Sequence, residues 1–236
     1  MLKEVYINSL AWVLNGEVSS SALLPSEDLL QNAIGSEFIK TFSAKPYLQS
    51  VKGFLDPAGH LFLAACSQLK NNCTSQLSAS SRTGIVSMTH YGAASAAYTF
   101  FSQLKEKGSR FASPMVFPHS YASTAANLAA IEFGWAGPHM IFYGKQSCLL
   151  AFDFATQRLQ DNSADEMLLV FQEAYMKELQ PENKKLLDGA FAILLSKKKN
   201  EETLFTIKTK QLFEQKEDIS SGGAVKDVID FMKKLK

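Results

Sequence analysis

The feature that most constrains the fold is a run of prolines and glycines between residues 113 and 146. It contains Pro114, Pro118 and the pair Gly137-Pro138, and it ends just after Gly144. Proline restricts the backbone of the residue before it, so Pro114 and Pro118 predict a short extended segment between them. Glycine permits tight turns, and Gly144 predicts a sharp elbow between a strand and a helix. The run therefore predicts an extended segment, a helix, a turn, a strand and an elbow, in that order.

Hydrophobic periodicity elsewhere in the chain predicts alternating strands and helices. Strands are predicted at residues 5–14, 83–89, 139–144, 166–174, 189–197 and 203–213. Helices are predicted at residues 25–33, 60–70, 91–108, 122–134, 147–160 and 224–236. Apolar strands that alternate with helices predict an α/β fold, with a mixed β-sheet covered by helices on both faces. No repeat or linker interrupts this order, so residues 1–236 are predicted to form a single domain.

The composition restricts the classes of function. The formal net charge is +1, whereas binding to nucleic acids or to anionic membranes needs a basic excess. No apolar run reaches the roughly 18 residues of a membrane span, and the N-terminal apolar run is too short for a signal peptide. The three cysteines, Cys66, Cys73 and Cys148, are odd in number and lack metal-site spacing. We therefore expect a cytoplasmic protein without a metal ion, a cofactor, a nucleic-acid partner or a membrane span.

The order of these motifs resembles the N-terminal half of the β-ketoacyl-acyl-carrier-protein (ACP) synthases, the ketosynthases of the thiolase-like fold. That family has a P-x3-P segment, an alanine-rich helix, a G-x2-G-P turn and a strand that leads to a nucleophilic cysteine. Here the prolines are Pro114 and Pro118, and the turn is "GWAGP" at residues 134–138, with matching spacing. The stretch "SADEMLLVFQEA" (163–174) is similar to the strand that follows in the family. The resemblance is carried by residues 83–174 and implies half of a thiolase-like fold.

The position of the family's catalytic cysteine falls on Gln146 in the register without gaps. Glutamine has no nucleophilic atom at neutral pH and cannot carry an acyl chain as a thioester. Its amide can still form hydrogen bonds near oxyanion donors. A ketosynthase relative with glutamine at this position is similar to the chain-length factors, the partner subunits of two-chain ketosynthases. It is also similar to the decarboxylating loading ketosynthases of modular polyketide synthases.

Two neighbours of Gln146 are alternative nucleophiles. Cys148 lies close to a predicted helix N-terminus, which lowers the pKa of a thiol, but the favoured interpretation is a small, buried packing residue. For Ser147 the favoured role is helix capping. The complete synthases supply two catalytic histidines and a lysine from a C-terminal half, and this chain resembles the N-terminal half alone. Its four histidines do not match those motifs, and His90 and His119 are expected to be loop residues.

The resemblance also implies an interface between subunits. In the family, the segment between the two prolines crosses a two-fold interface, and the position of Val116 contributes to the acyl pocket of the partner, with Met115 and Phe117 beside it. Ordinary packing of these side chains is the alternative. The strand that contains Phe142 and leads to Gly144 is expected to lie beside the equivalent strand of the partner.

A tunnel for the acyl chain is implied by the same resemblance. In chain-length factors, the residues that gate this tunnel lie on the helix that corresponds to residues 91–108. Ala94, Ala97 and Phe101 fall on one face of this helix by their spacing. Small alanines leave room for a long or rigid chain, with Phe101 as a stop. Close helix packing through the alanines is the alternative.

Three functional hypotheses follow. The first is a non-condensing, chain-length-factor-like subunit that pairs with a full-length β-ketoacyl-ACP synthase, as in aryl-polyene or flexirubin-type synthesis, and meets the ACP only indirectly. The second is a separate acyl-thioester enzyme: a decarboxylase that uses Gln146, or an acyltransferase or hydrolase that uses Cys148. The third is a homodimer with a binding or scaffolding role.

Overall fold

The computed structural model describes most of the chain. The described residues are 4–19, 23–34, 38–50, 53–73, 77, 82–175, 186–214 and 222–235, except for the side chains of residues 72, 211, 213 and 214. The last residue of the predicted C-terminal helix, residue 236, lies outside these ranges.

The described strands form one mixed sheet, as predicted. They are β1 (Glu4–Leu14), β2 (Glu17–Ser19), β3 (Thr83–Thr89), β4 (His139–Tyr143), β5 (Glu166–Glu173), β6 (Gly189–Ser196) and β7 (Phe205–Lys208). Their order in the sheet is β2-β1-β6-β5-β3-β4, and β7 pairs with β1. Strands β3, β4 and β5 are parallel, whereas β6 is antiparallel to both β5 and β1. The carboxyl ends of β3 and β4 therefore lie side by side at the same end of the sheet.

Helices cover both faces of the sheet. They are α1 (Glu27–Ala33), α2 (Pro57–Asn72), α3 (Ala94–Lys107), α4 (Thr124–Phe133), α5 (Leu149–Gln160), α6 (Thr209–Glu214) and α7 (Ala224–Lys234). On one face α5 and α7 pack on the sheet through Phe152 and Phe231, and on the other α2 and α4 pack through Phe62 and Phe133. Within the described ranges, none of the helices is both long and apolar enough to cross a bilayer.

Two predicted elements were wrong. The segment between Pro114 and Pro118 is not extended, because Val116 has helical φ and ψ angles of −80° and −35° and a 3₁₀ helix spans Phe117–Ser120. Proline in the first turn of a helix loses no hydrogen bond, since its missing N–H has no helical partner there.

The predicted strand at residues 203–213 is also shorter than expected. Strand β7 ends at Lys208, which pairs with Glu4, the first residue of β1. Helix α6 begins at the next residue. A strand needs a partner along its length, and the described part of β1 offers none beyond this pair.

Candidate functional site

An open groove lies where β3 and β4 end and α3 begins. It has a volume of about 600 Å³. Its lining combines small alanines with aromatic rings, and we call it the aromatic groove. The lining residues are Tyr91, Ala93, Ala94, Ala97, Tyr98, Phe101, Ser120, Tyr121, Ala122 and Tyr143.

The predicted face of α3 forms one wall of the aromatic groove. Ala94, Ala97 and Phe101 all line it, and their role in holding an acyl chain stays a prediction. The alanines keep the groove wide because their side chains end at Cβ. Phe101 is 64% exposed and therefore has few contacts with its own chain. Its ring is free to contact a ligand or another subunit.

The tyrosines of the aromatic groove were not predicted. Tyr143 is the last residue of β4, and Tyr91 lies two residues beyond the end of β3. Side chains that follow parallel strands lie at the same end of the sheet. The positions of Tyr91 and Tyr143 just after predicted strands therefore indicated that the two residues lie close together. Tyr98 and Tyr121 reach the groove from α3 and from the turn after residue 120, which only the tertiary structure reveals.

The predicted elbow, Gly144–Ser147, is present at the end of β4. Gly144 has a φ of +94°, a conformation that favours glycine, and its N–H donates to the carbonyl oxygen of Thr89 at 3.0 Å. The side chain of Gln146 is half-buried, and its Nε2 donates to the carbonyl oxygen of Tyr143 at 3.1 Å. The Oγ of Ser147 accepts from the N–H of Leu149, the first residue of α5, at 3.2 Å, although the N-cap position of this helix is Cys148.

Cys148 is fully buried. Its side chain belongs to the hydrophobic core that includes Phe152 of α5, and it does not line the aromatic groove. A nucleophilic thiol must reach its substrate as a thiolate, which a dry apolar core disfavours. The burial of Cys148 therefore agrees with the packing role and argues against the acyltransferase and hydrolase alternatives.

In the segment Met115–Phe117 the middle residue is buried and the two outer residues are exposed. Val116 is only 6% exposed and lines a small cavity with Phe54 and Ala96 of its own chain. It is thus buried within this chain in the described structure, and its contribution to the acyl pocket of a partner stays a prediction. Met115 and Phe117 are largely exposed, and the ring of Phe117 lies 5.3 Å from that of Tyr121 at the groove.

Strand β4 is an edge strand of the sheet. Among the described residues, β3 is its only strand partner. Phe142 is half-buried and packs against the core below the sheet, whereas Tyr143 is 59% exposed. An edge strand presents free backbone groups that can pair with a strand of another chain.

A buried carboxyl group binds the loop that carries Tyr91 to the aromatic groove. This group was not predicted from the sequence. Glu173, the last residue of β5, is fully buried. Its oxygens accept from the N–H groups of His90 (2.6 Å), Tyr91 (3.4 Å) and Ala224 (3.1 Å) and from Oγ1 of Thr89 (3.2 Å). Burial raises the pKa of Glu173 to about 7, although the four hydrogen bonds act in the opposite direction.

His90 and His119 do not line the aromatic groove. The Nε2 of His90 lies 3.7 Å from Oδ2 of Asp227 on α7, and both side chains are buried. Burial lowers the pKa of His90, and the backbone carbonyl of Gln146 partly offsets this shift. His119 lines a separate and much smaller cavity with Asp56 and Gln172, and burial lowers its pKa as well. Within the described lining of the aromatic groove there is no histidine.

Comparisons with known proteins agree with this geometry. No protein-family model matches the chain, and no curated protein matches it. The solved structure of the ishigamide ketosynthase/chain length factor matches with a TM-score of 0.66 at 16% identity, over 81% of this chain and 62% of that chain. The AntDE:AntF complex, a type II polyketide synthase ACP with its ketosynthase bound to the hexaketide, matches with a TM-score of 0.59 at 14% identity, over 82% and 62%.

The ketosynthase ApeO in complex with its chain length factor ApeC from Xenorhabdus doucetiae also matches. Its TM-score is 0.53 at 16% identity, over 81% of this chain and 78% of that chain. The chain thus spans less than two thirds of the length of the first two structures. At these identities the likeness shows the fold, which is the thiolase-like fold of ketosynthases and chain-length factors.

Proposed function

We propose that this chain is a non-condensing, chain-length-factor-like partner of a full-length β-ketoacyl-ACP synthase. The observation that carries the proposal is the position of Gln146. It lies in the elbow at the end of β4, and its side chain binds the backbone of Tyr143, which lines the aromatic groove. By the resemblance in sequence, this is the position of the ketosynthase nucleophile. We propose that the elbow and the groove form an acyl site in which an amide replaces the nucleophile.

The chemistry of the described residues supports an assisting role. Glutamine cannot form the thioester that a condensation requires, and its amide is hydrogen-bonded to the turn beside it. Cys148 is enclosed in the core. A decarboxylase that used Gln146 would need further donors to stabilise the developing enolate. In complete synthases histidines take this role, whereas the described lining of the groove offers tyrosine and serine hydroxyl groups and no histidine.

The surface around the groove supports a protein partner. Besides Ile131 of α4, seven large hydrophobic side chains in the stretch from α3 to β4 are at least 44% exposed, and one of them belongs to β4 itself. They are Tyr98, Phe101, Phe111, Met115, Phe117, Tyr121 and Tyr143. A patch of exposed aromatic and methionine side chains is typical of the centre of a protein interface. We infer that β4 and this patch pack against the synthase in a heterodimer, which closes the groove into a tunnel.

The lining of the groove suggests the class of acyl chain. Flat aromatic rings and alanine methyl groups leave a broad space that suits a stiff, conjugated chain, such as an aryl polyene in the course of its synthesis. The partner synthase would perform the condensation and bind the ACP, so this chain would meet the ACP only indirectly. Phe101 would limit the length of the chain.

Narrowing the groove tests this proposal. We expect Ala97→Trp, in the complex with the synthase, to shift the products toward shorter acyl chains without abolishing condensation. Ala136→Trp is the matched control, because Ala136 is exposed but lies outside the groove. Mass spectrometry of the ACP-bound products measures the chain length. An unchanged product distribution with Ala97→Trp would contradict a role in chain-length control.

A further inference from the structure

We propose that Glu173 is a positioning residue whose carboxyl group holds both loops of the aromatic groove in place and links them to the start of α7. The inference deepens the proposed function, on which it rests, because it concerns the same groove. Glu173 itself does not line the groove, so it acts through the backbone that it binds.

The first link runs from Glu173 to the loop after β3. Oε1 accepts from the N–H of His90, and Oε2 accepts from the N–H of Tyr91 and from Oγ1 of Thr89. Oγ1 of Thr89 in turn accepts from the N–H of Gly92 at 2.9 Å. The whole turn that places Tyr91 at the groove is thus tied to one buried carboxyl group.

The second link runs from Thr89 to the elbow. The carbonyl oxygen of Thr89 accepts from the N–H of Gly144, directly after Tyr143. Tyr143 also packs on the first loop, because a Cβ added to Gly92 would lie 2.9 Å from its Cε2. A movement of the turn at residues 89–92 must therefore move the elbow and the ring of Tyr143.

The third link joins Glu173 to α7. Oε1 accepts from the N–H of Ala224, the first residue of that helix, where the helix dipole favours a negative charge. The ionisable groups around the carboxyl are His90 and Tyr91 after β3, Tyr175 after β5, Asp188 before β6 and Asp227 on α7. Burial raises the pKa of Glu173, whereas the hydrogen bonds that it accepts act in the opposite direction.

Glu173→Gln tests these links, because it keeps the size of the side chain but replaces one acceptor oxygen by a donor. Its Oε1 can keep the bonds from His90 and Ala224, whereas its amide nitrogen cannot accept from the N–H of Tyr91 or from Oγ1 of Thr89.

Amide hydrogen exchange on the chain alone tests the inference. We expect Glu173→Gln, compared with wild type at the same pH, to lower protection at residues 90–92 and at residue 144 about tenfold, because two donors lose their acceptor. Glu166→Gln, at the opposite end of the same strand, should behave like wild type.

Two results would overturn the inference. One is protection equal to wild type at both loops in Glu173→Gln, or in Thr89→Val should Glu173→Gln fail to fold. The other is a response at residues 90–92 that leaves residue 144 unchanged, since a purely local role of Glu173 predicts that outcome. The measurement uses no partner, so it can fail or succeed independently of complex formation with a synthase.

Discussion

The N–H of Gly144 donates a hydrogen bond to the carbonyl oxygen of Thr89 at 3.0 Å. This bond lies just beyond the last residue pair of the β3–β4 ladder, which joins Thr89 to Tyr143. It continues the sheet into the two loops that carry Tyr91 and Tyr143. The groove is therefore built on the rigid ends of two parallel strands.

The elbow should depend on the backbone conformation of Gly144. No atom lies within 4 Å of a Cβ added at this position, so a substitution is limited by the φ of +94° and not by a clash. We expect Gly144→Val to lower the free energy of unfolding by about 1–2 kcal/mol. Gly144→Asn should cost less, because asparagine tolerates positive φ better. Urea denaturation measures both, and equal costs would contradict this account.

Cys148 should be unreactive in the folded protein. We expect iodoacetamide at neutral pH to modify Cys148 only after unfolding, because the thiol is fully buried. Cys73 is partly exposed and provides an internal comparison, although burial raises its pKa to about 11. Peptide mapping by mass spectrometry identifies the modified residue. Rapid and selective labelling of Cys148 would instead support the acyltransferase or hydrolase alternative.

Asp56 should stabilise the start of two helices at once. Its Oδ1 accepts from the N–H of Ala58 in α2, and its Oδ2 accepts from the N–H of Ala96 in α3, both at 2.9 Å. Loss of one helix cap costs about 1 kcal/mol, so we expect Asp56→Ala to lower the free energy of unfolding by about 2 kcal/mol or more. Ser26→Ala, which removes the exposed cap of α1, is the control. An effect of Asp56→Ala no larger than this control would refute the double cap.

Buried carboxyl groups should make stability depend on pH. Burial raises the pKa of Asp188 to about 7, so the folded chain holds a proton that the unfolded chain loses near pH 4. The contribution of Asp188 to stability is therefore present at low pH and is lost as the pH rises toward and through 7. The buried histidines act in the opposite direction, because their pKa values are lowered.

A variant isolates the contribution of Asp188. Asp188→Asn can keep the hydrogen bond that Oδ1 accepts from the N–H of Tyr175. We expect this variant to gain stability over wild type at pH 8, by about 2 kcal/mol, and to approach wild type at pH 5. Thermal unfolding at both pH values measures the difference. A constant difference across this range would show that Asp188 does not titrate as described.

The type of sheet and most of the order of elements were predictable from the sequence, whereas the short β2 and α6 were not. Periodicity and glycine positions located the longer strands, the elbow at Gly144 and the face of α3 with Ala94, Ala97 and Phe101, because these features depend on local patterns. The extended segment predicted at residues 114–118 was wrong, since Pro118 suits the first turn of a 3₁₀ helix as well as an extended segment.

The polar network below the groove was not predictable. Glu173 lies in an apolar strand, and its donors come from residues 89–91 and 224, which are far apart in the sequence. No local pattern indicates that these groups meet. The burial of Val116 was equally hidden, because it depends on contacts with Phe54 and Ala96 that only the tertiary structure brings together.

Co-purification with a synthase tests the central claim most directly. The chain should be expressed with and without a full-length β-ketoacyl-ACP synthase from the same organism, and its assembly measured by size-exclusion chromatography with light scattering. We predict a stable heterodimer in which condensation depends on the cysteine of the synthase, and no condensation by this chain alone. A stable homodimer of this chain that condenses acyl chains without a synthase would contradict the account.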